Sequence, residues 1–327
     1  MKRRRFIQLP LALAGTAALR PALAQDAFPS QTVRIIVATT PGTVMDISAR
    51  LVAKQLEPQW KQSIVVINQP GAGGAIGTDA VAKAKPDGHT LLIAHEGILA
   101  IQPLIHKETA PRSDVRAVCP LTEIDLLLIV NRASGIRTLQ EFIAQAKSRR
   151  MTYASAGVGT PVHLRMEMIK QRLGIPLVHV PYKSTAAGLT DLVGKQVDCM
   201  LIAIGPAMPY LAEQLNVIAT TGAKRSTLLP DVPTLAESYP NFSFTTWFGV
   251  FAPAETPDDI VEIASRDITA AIQAPAVKDT LLKQGIIPTG GRPAQLTAIV
   301  QKDFSDYAQV IRTGHIDLSM SELRALG

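Results

Sequence analysis

The sequence predicts an α/β protein of two lobes, and three observations carry that prediction. Short apolar runs of strand length alternate with segments of helical period along most of the chain. Several of those runs end in Gly, Thr or Ser junctions that open a helix. Two extended apolar stretches, around 118–130 and 247–253, are placed to carry the chain from one lobe to the other and back. Strands spaced by helices imply a parallel or mostly parallel sheet.

Each element has a local reason. Residues 33–38 (VRIIVA) form an uninterrupted apolar run, the mark of a buried strand. Pro41-Gly42 makes a turn, and helical spacing follows over 44–56. The next strand is 64–67, followed by a Gly/Pro loop over 69–74 and a helix over 78–85. Pro86-Asp87-Gly88 turns the chain into a strand over 90–94. Further strands fall at 126–130, 152–154 and 177–180, each with helical pattern nearby. From 258 to 313 the pattern is helical, with Ile260, Ile263, Ala264, Ile268, Ala271 and Ile272 recurring at helical spacing. There is no internal repeat and no low-complexity segment. The expected division is 25–122 for a first lobe, 123–246 for a second, and 247–327 for a return to the first with C-terminal helices.

The first 24 residues read as a cleaved signal peptide. Lys2, Arg3, Arg4 and Arg5 precede an apolar run that is too short to span a bilayer, and Ala22-Leu23-Ala24 offers a small-x-small cleavage site. Arg3-Arg4-Arg5-Phe6-Ile7 also fits a twin-arginine export signal, so the expected location is the periplasm. Removing this segment takes five of the 33 basic residues and none of the 27 acidic ones, which lowers the net charge from +6 to +1. The basic balance therefore gives no reason to expect a nucleic-acid partner. The remaining 303 residues suffice for two domains of about 150 residues each. Cys119 and Cys199 leave two readings open: a disulfide, or two buried thiols on separate strands.

Four strand-to-helix junctions share one design. Thr43 stands at a helix start with Asp46 at capping-box spacing. In Gly157-Val158-Gly159-Thr160-Pro161, Thr160 is placed as N-cap and Pro161 as the first helical residue. Ser184 is a third cap candidate, and Glu96-Gly97 opens a short helix. Such junctions aim free backbone N–H groups and the positive end of a helix at the carboxyl edge of a sheet. Ser155, Thr43 and Thr160 add hydroxyl donors. Ordinary caps are the plainer reading of any single junction, and two Gly-Thr junctions in separate halves point to a pincer around an anion. Hydrogen bonds to a charged group contribute about 1.5–3 kcal/mol each, and micromolar affinity needs about 8 kcal/mol. Several donors reach that range without an arginine clamp.

Enzyme signatures are missing from the sequence. The six histidines show no metal-ligand spacing, and there is neither a nucleophile-elbow serine nor a phosphate-loop lysine. Gly71-Ala72-Gly73-Gly74 with Gly77 imitates a dinucleotide loop, but Ile76 stands where the last glycine belongs. Asn68-Gln69-Pro70 also separates the loop from its strand. The expectation is no catalysis, no metal and no cofactor.

The same residues resemble the tripartite tricarboxylate transporter substrate-binding family, the Bug proteins. The resemblance runs through PGTVMDISAR at 41–50, NQPGAGGAIGTDAVAKAKPDGHTLL at 68–92 and YASAGVGTPVHL at 153–164. PYKSTAAGLTDLVGKQVD at 181–198, LPDVPTLAE at 229–237 and WFGVFAPAETP at 247–257 complete it. It implies a two-lobed periplasmic binding protein-like (type II) fold that closes on a small carboxylate in the cleft between its lobes. Carried onto this chain, the carboxylate would be held at Thr40, Gly42, Thr43 and Asp46, then at Ser155, Gly159 and Thr160. His95, Glu96, Tyr182 and Ala203 complete the candidate contacts. An internal ion pair is the alternative use of Asp46 and Arg50, one helical turn apart.

The chain departs from the family pattern at Thr43, where a second glycine is usual, at His95-Glu96, at Gln102-Pro103, at His106 and at Ala203-Ile204-Gly205. These departures suggest a ligand with one carboxylate and an apolar, aromatic or cationic far end. Met45, Ile204 and Trp247 are candidate walls, and Glu96 a candidate acid. The implied partners are the small and large membrane subunits of a permease, with a sensor protein as the alternative. The receptor itself is expected to be a monomer.

Overall fold

A computed structural model describes residues 28–318. The expected signal peptide lies outside the described residues, as does the end of the return segment. The strands are β1 (Val33–Val37), β2 (Ile64–Asn68), β3 (Thr90–His95), β4 (Val115–Ile124), β5 (Leu126–Asn131), β6 (Met151–Ser155), β7 (Leu177–Pro181), β8 (Cys199–Ala203), β9 (Leu215–Thr220), β10 (Thr246–Pro253) and β11 (Ile287–Pro288). The helices are α1 (Val44–Trp60), α2 (Ala75–Ala82), α3 (Gln102–Ile105), α4 (Leu139–Ser148), α5 (Pro161–Leu173), α6 (Thr185–Val193), α7 (Ile204–Leu211), α8 (Leu235–Ser238), α9 (Asp258–Gln273), α10 (Pro275–Leu282) and α11 (Pro293–Thr313).

Two sheets form, one in each lobe of the fold. The first has the order β11-β4-β10-β3-β1-β2 and the second β7-β6-β8-β5-β9. Each sheet carries helices on both faces, which is why its central strands are apolar on both sides. In the first, Val33, Ile35 and Val37 join Ala49, Val52, Leu56 and Ile268 from α1 and α9. Ile36 and Ala38 point the other way, toward Val81 of α2 and Leu296 and Val300 of α11. In the second, Leu126, Leu128 and Val130 meet Phe142, Met166 and Ile169 of α4 and α5. Leu127 and Ile129 meet Leu189, Leu192 and Ala207 of α6 and α7 on the opposite face. Period-two side-chain alternation thus builds two three-layer cores from short strands.

Pairing is less parallel than the sequence predicts. The pairs β1–β2, β1–β3, β6–β7 and β6–β8 are parallel. The pairs β10–β3, β10–β4, β11–β4, β5–β8 and β5–β9 are antiparallel. The cause is the passage between sheets. β4 and β5 follow one another with only Asp125 between them, and β10 returns from the second lobe. Strands entering from the other lobe need no helical crossover, so they are free to pair antiparallel.

Two local expectations resolve differently, and one open alternative is decided. The helix read at 78–85 starts at Ala75, directly after Gly74 at φ +99°. Thr43 occupies the N-cap of α1 but makes no side-chain cap bond; its hydroxyl donates to the Thr40 carbonyl at 3.2 Å. Cys119 and Cys199 are free, buried thiols on strands of different sheets. No helix among the described residues is long and apolar enough to cross a membrane.

Candidate functional site

The second lobe supplies a glycine-rich corner at the start of α5. β6 ends at Ser155, and the chain passes through Gly157 at φ +121° and Gly159 at φ +74° before α5 begins. Both angles suit only glycine without strain. Thr160 caps α5: its Oγ1 accepts the His163 N–H at 3.4 Å and donates to the Gly157 carbonyl at 2.7 Å. The Gly159 N–H donates to Nδ1 of His163 at 3.1 Å, which makes His163 a brace for the turn. Pro161 takes the first helical position, where its missing N–H costs nothing.

The first lobe supplies the facing wall. Thr40 follows β1, His95 ends β3, and Gln102 opens α3. Gln102 Nε2 donates to the Ala72 carbonyl at 2.9 Å and holds the glycine loop in place. His95 Nδ1 accepts the Gly97 N–H at 3.0 Å. Burial lowers the His95 pKa to about 4, so the ring is neutral and its proton sits on Nε2, a donor.

Between these two walls lies an open cleft of about 450 Å³, lined from one side by Thr40, His95 and Gln102 and from the other by Gly159, Thr160 and Pro161. It lies at the N-terminal, electropositive end of α5. No Asp, Glu, Lys or Arg lines it. Its polar equipment is hydroxyl, amide and imidazole, set among Ile101, Ile105 and Val158.

Of the residues singled out by sequence, Thr40, His95, Gly159 and Thr160 line this cavity, and the other seven do not. The Gly42 N–H is spent on Asp46 Oδ2 at 2.9 Å. Asp46 also pairs with Arg50 at 2.9 Å. Burial pushes the Asp46 pKa up, but the Arg50 and Gly42 contacts outweigh it and hold the carboxyl below its ordinary value. Thr43 is turned back on Thr40. Ser155 is fully buried, with its Oγ 2.6 Å from Nε2 of His179. Tyr182 donates to Asp191 at 2.8 Å. Ala203 packs between the cores of the two lobes.

Glu96 is the largest surprise. It is fully buried behind the cavity, and neither carboxylate oxygen has a hydrogen-bond partner. Burial raises its pKa to about 8, against the opposing pull of Arg165. The native state therefore holds the proton more tightly than the unfolded chain does. Stability falls as pH rises from about 4.5 to about 8. Glu96→Gln is expected to remove that loss, so the variant gains on the wild type across this window. Urea midpoints for the two proteins at pH 5 and pH 8.5 check it; an unchanged difference between the two pH values would refute the burial argument.

Among the cavity residues that sequence reasoning missed are Gln102, Pro161 and the glycines at 71, 73, 74 and 97. Two signals pointed to them: the unusual Gln102-Pro103 pair and the Gly71–Gly74 run, read only as a shaped loop.

The comparisons agree with this architecture. Residues 48–316 match the model of the tripartite tricarboxylate transporter family receptor. A UPF0065 protein in the tcbD-tcbE intergenic region of Pseudomonas sp. (strain P51) is 34% identical over 316 residues, covering 94% of each chain. MatC from Rhodopseudomonas palustris, solved with bound malate, is 31% identical with a TM-score of 0.69, covering 87% of this chain and 100% of that one. An R. palustris protein solved with adipate is 29% identical with a TM-score of 0.73, covering 88% of this chain and 99% of that one. A match of this length and identity, on the fold just described, places the chain in the tripartite tricarboxylate transporter receptor family, whose members are solute-binding receptors and not enzymes.

Proposed function

We propose that this chain is a periplasmic receptor that captures a small organic acid in the cavity between its lobes and delivers it to a tripartite membrane permease. The observation that carries the reading is the cavity itself: both lobes wall it, a helix N-terminus faces it, and no charged side chain lines it. A carboxylate docked beside Thr160 gains the α5 dipole, the Thr40 hydroxyl and the proton on His95 Nε2, without competing anions. The volume of about 450 Å³ suits a ligand of a few carbon atoms. Malate and adipate, bound in the two related structures, have that size.

The uncharged lining favours a ligand with one carboxylate at Thr160 and an apolar or neutral far end. A cationic far end loses its support, because Glu96 does not reach the cavity. Export is supported by the basic and apolar layout of residues 1–24.

Thermal unfolding of residues 25–327 against a panel of mono-, di- and tricarboxylates tests the assignment. A ligand at 100 times its dissociation constant should add about 2.7 kcal/mol of stability. Thr160→Ala should abolish that ligand shift, while costing about 1 kcal/mol of stability through the lost cap. A shift of the same size in the variant would place the ligand elsewhere, and no shift with any acid would overturn the carboxylate reading.

A further inference from the structure

We propose that a second cavity, between the lobes beside the strand crossing, binds a small organic cation bearing a primary ammonium group, with Asp125 as its anchor. This cavity measures about 520 Å³ and is separate from the one at Thr160. Leu282 and Ile287 wall it from the first lobe, and Leu127, Ile204 and Phe244 from the second. Asp125 lines it at the single residue that joins β4 to β5.

The state of Asp125 suits a cationic partner. The residue is 7% exposed, and its carboxylate receives no hydrogen bond or ion pair from the described residues. Glu123 lines the same cavity and adds a second negative group, with its Oε2 accepting the Thr245 hydroxyl at 2.8 Å. Burial, and then the charge of Glu123, raise the Asp125 pKa to about 6. The carboxylate opens onto the cavity it lines, so a cation seated there would meet it at little desolvation cost to the acid.

The backbone is cut to fit this side chain. A Cβ at Gly222 would stand 2.4 Å from Oδ1 of Asp125, so only glycine leaves the carboxylate its place. Two acids set among apolar walls match an ammonium group on an aliphatic body, which donates up to three hydrogen bonds and buries its carbon chain. A metal ion fits poorly, since no group of three His, Cys, Asp or Glu among the described residues is placed to hold one. Of the basic residues on the lining, Arg225 is paired with Glu237 at 2.7 Å, and Lys224 is exposed, where solvent screens it.

The test is titration calorimetry of the purified protein with n-butylammonium chloride, with sodium chloride and sodium butyrate as controls. Saturable heat is expected with butylammonium and none with sodium chloride. Asp125→Asn should weaken butylammonium binding at least tenfold. Gly222→Ala keeps the charge but crowds the carboxylate, and should weaken binding comparably; it carries the test if Asp125→Asn does not fold. Thr160→Ala should leave butylammonium binding intact, which separates this site from the carboxylate cavity. Absence of saturable binding in the wild type, or wild-type affinity in Asp125→Asn and Gly222→Ala, would overturn the proposal.

Discussion

Arg165→Met is expected to destabilise the protein by about 3–5 kcal/mol, the usual loss when one partner of a buried ion pair is removed. Arg165 sits on α5, is 1% exposed, and donates from Nη2 to Asp303 Oδ2 on α11 at 2.7 Å. Trp247 Nε1 donates to the same oxygen at 2.8 Å. The guanidinium lies 4.6 Å from the Tyr307 ring centre and 4.9 Å from that of Phe244. Methionine replaces the bulk but not the charge, so Asp303 keeps only its Trp247 bond and Glu96 loses a nearby cation. Because α5 belongs to the second lobe and α11 packs on β4 of the first, the loss should also loosen the lobes. Urea unfolding at pH 7 measures the loss, and the double variant Arg165→Met/Asp303→Asn should recover part of it. A single-variant cost under about 1 kcal/mol would contradict this account.

The second large effect is acid sensitivity. His163 and His179 stack with ring centres 4.0 Å apart, and Tyr153 stacks on His179 at 4.8 Å. Burial, with the nearby Lys170 charge adding to it, lowers His163 to about 4; burial, His163 and Lys170 lower His179 to about 3 against the opposing pull of Glu167. The unfolded chain therefore binds protons first as pH drops below about 6.5. Stability from this pair is complete above pH 6.5 and is lost progressively as pH falls toward 4. Each unit of displacement corresponds to about 1.4 kcal/mol, and the stacked rings titrate as a coupled pair rather than singly. Unfolding free energy measured from pH 8 to pH 4 should fall less steeply in His179→Gln than in the wild type. Identical slopes would show that His179 takes up its proton in the folded state at no cost.

Much of the fold was legible because its signals are local. Residues 33–38 and 126–130 are apolar runs of strand length, and they form β1 and β5 within a residue or two. Thr160-Pro161 encodes a cap and a first turn between neighbours, and the structure makes both. Strand direction was not legible. The antiparallel pairing of β10 with β3 and β4 joins residues more than 120 positions apart, which no local periodicity records.

The site divides in the same way. Thr160 was readable at a strand-to-helix junction, where open α/β sheets place their ligand loops, and Thr40, His95 and Gly159 came with the family resemblance. Glu96 looked like a cavity acid because it follows His95, yet the turn after β3 sends its side chain inward, toward Arg165 and Asp303. Asp125 carried no signal at all: it is one acid between two apolar strands, and only the meeting of β4, β5 and Gly222 sets it in the wall of a cavity.

By itself the sequence determined the family, the two-lobed α/β class and the helix caps at Thr160 and Ser184, because motifs, periodicity and capping act between residues close along the chain. The tertiary structure alone decided which polar groups face a cavity and which are buried. That outcome depends on contacts such as Trp60 with Asp267, 207 residues apart, and Arg165 with Asp303, 138 apart. Burial and charge partnership are properties of the packed whole, so the electrostatics of this protein emerge only once both lobes are assembled.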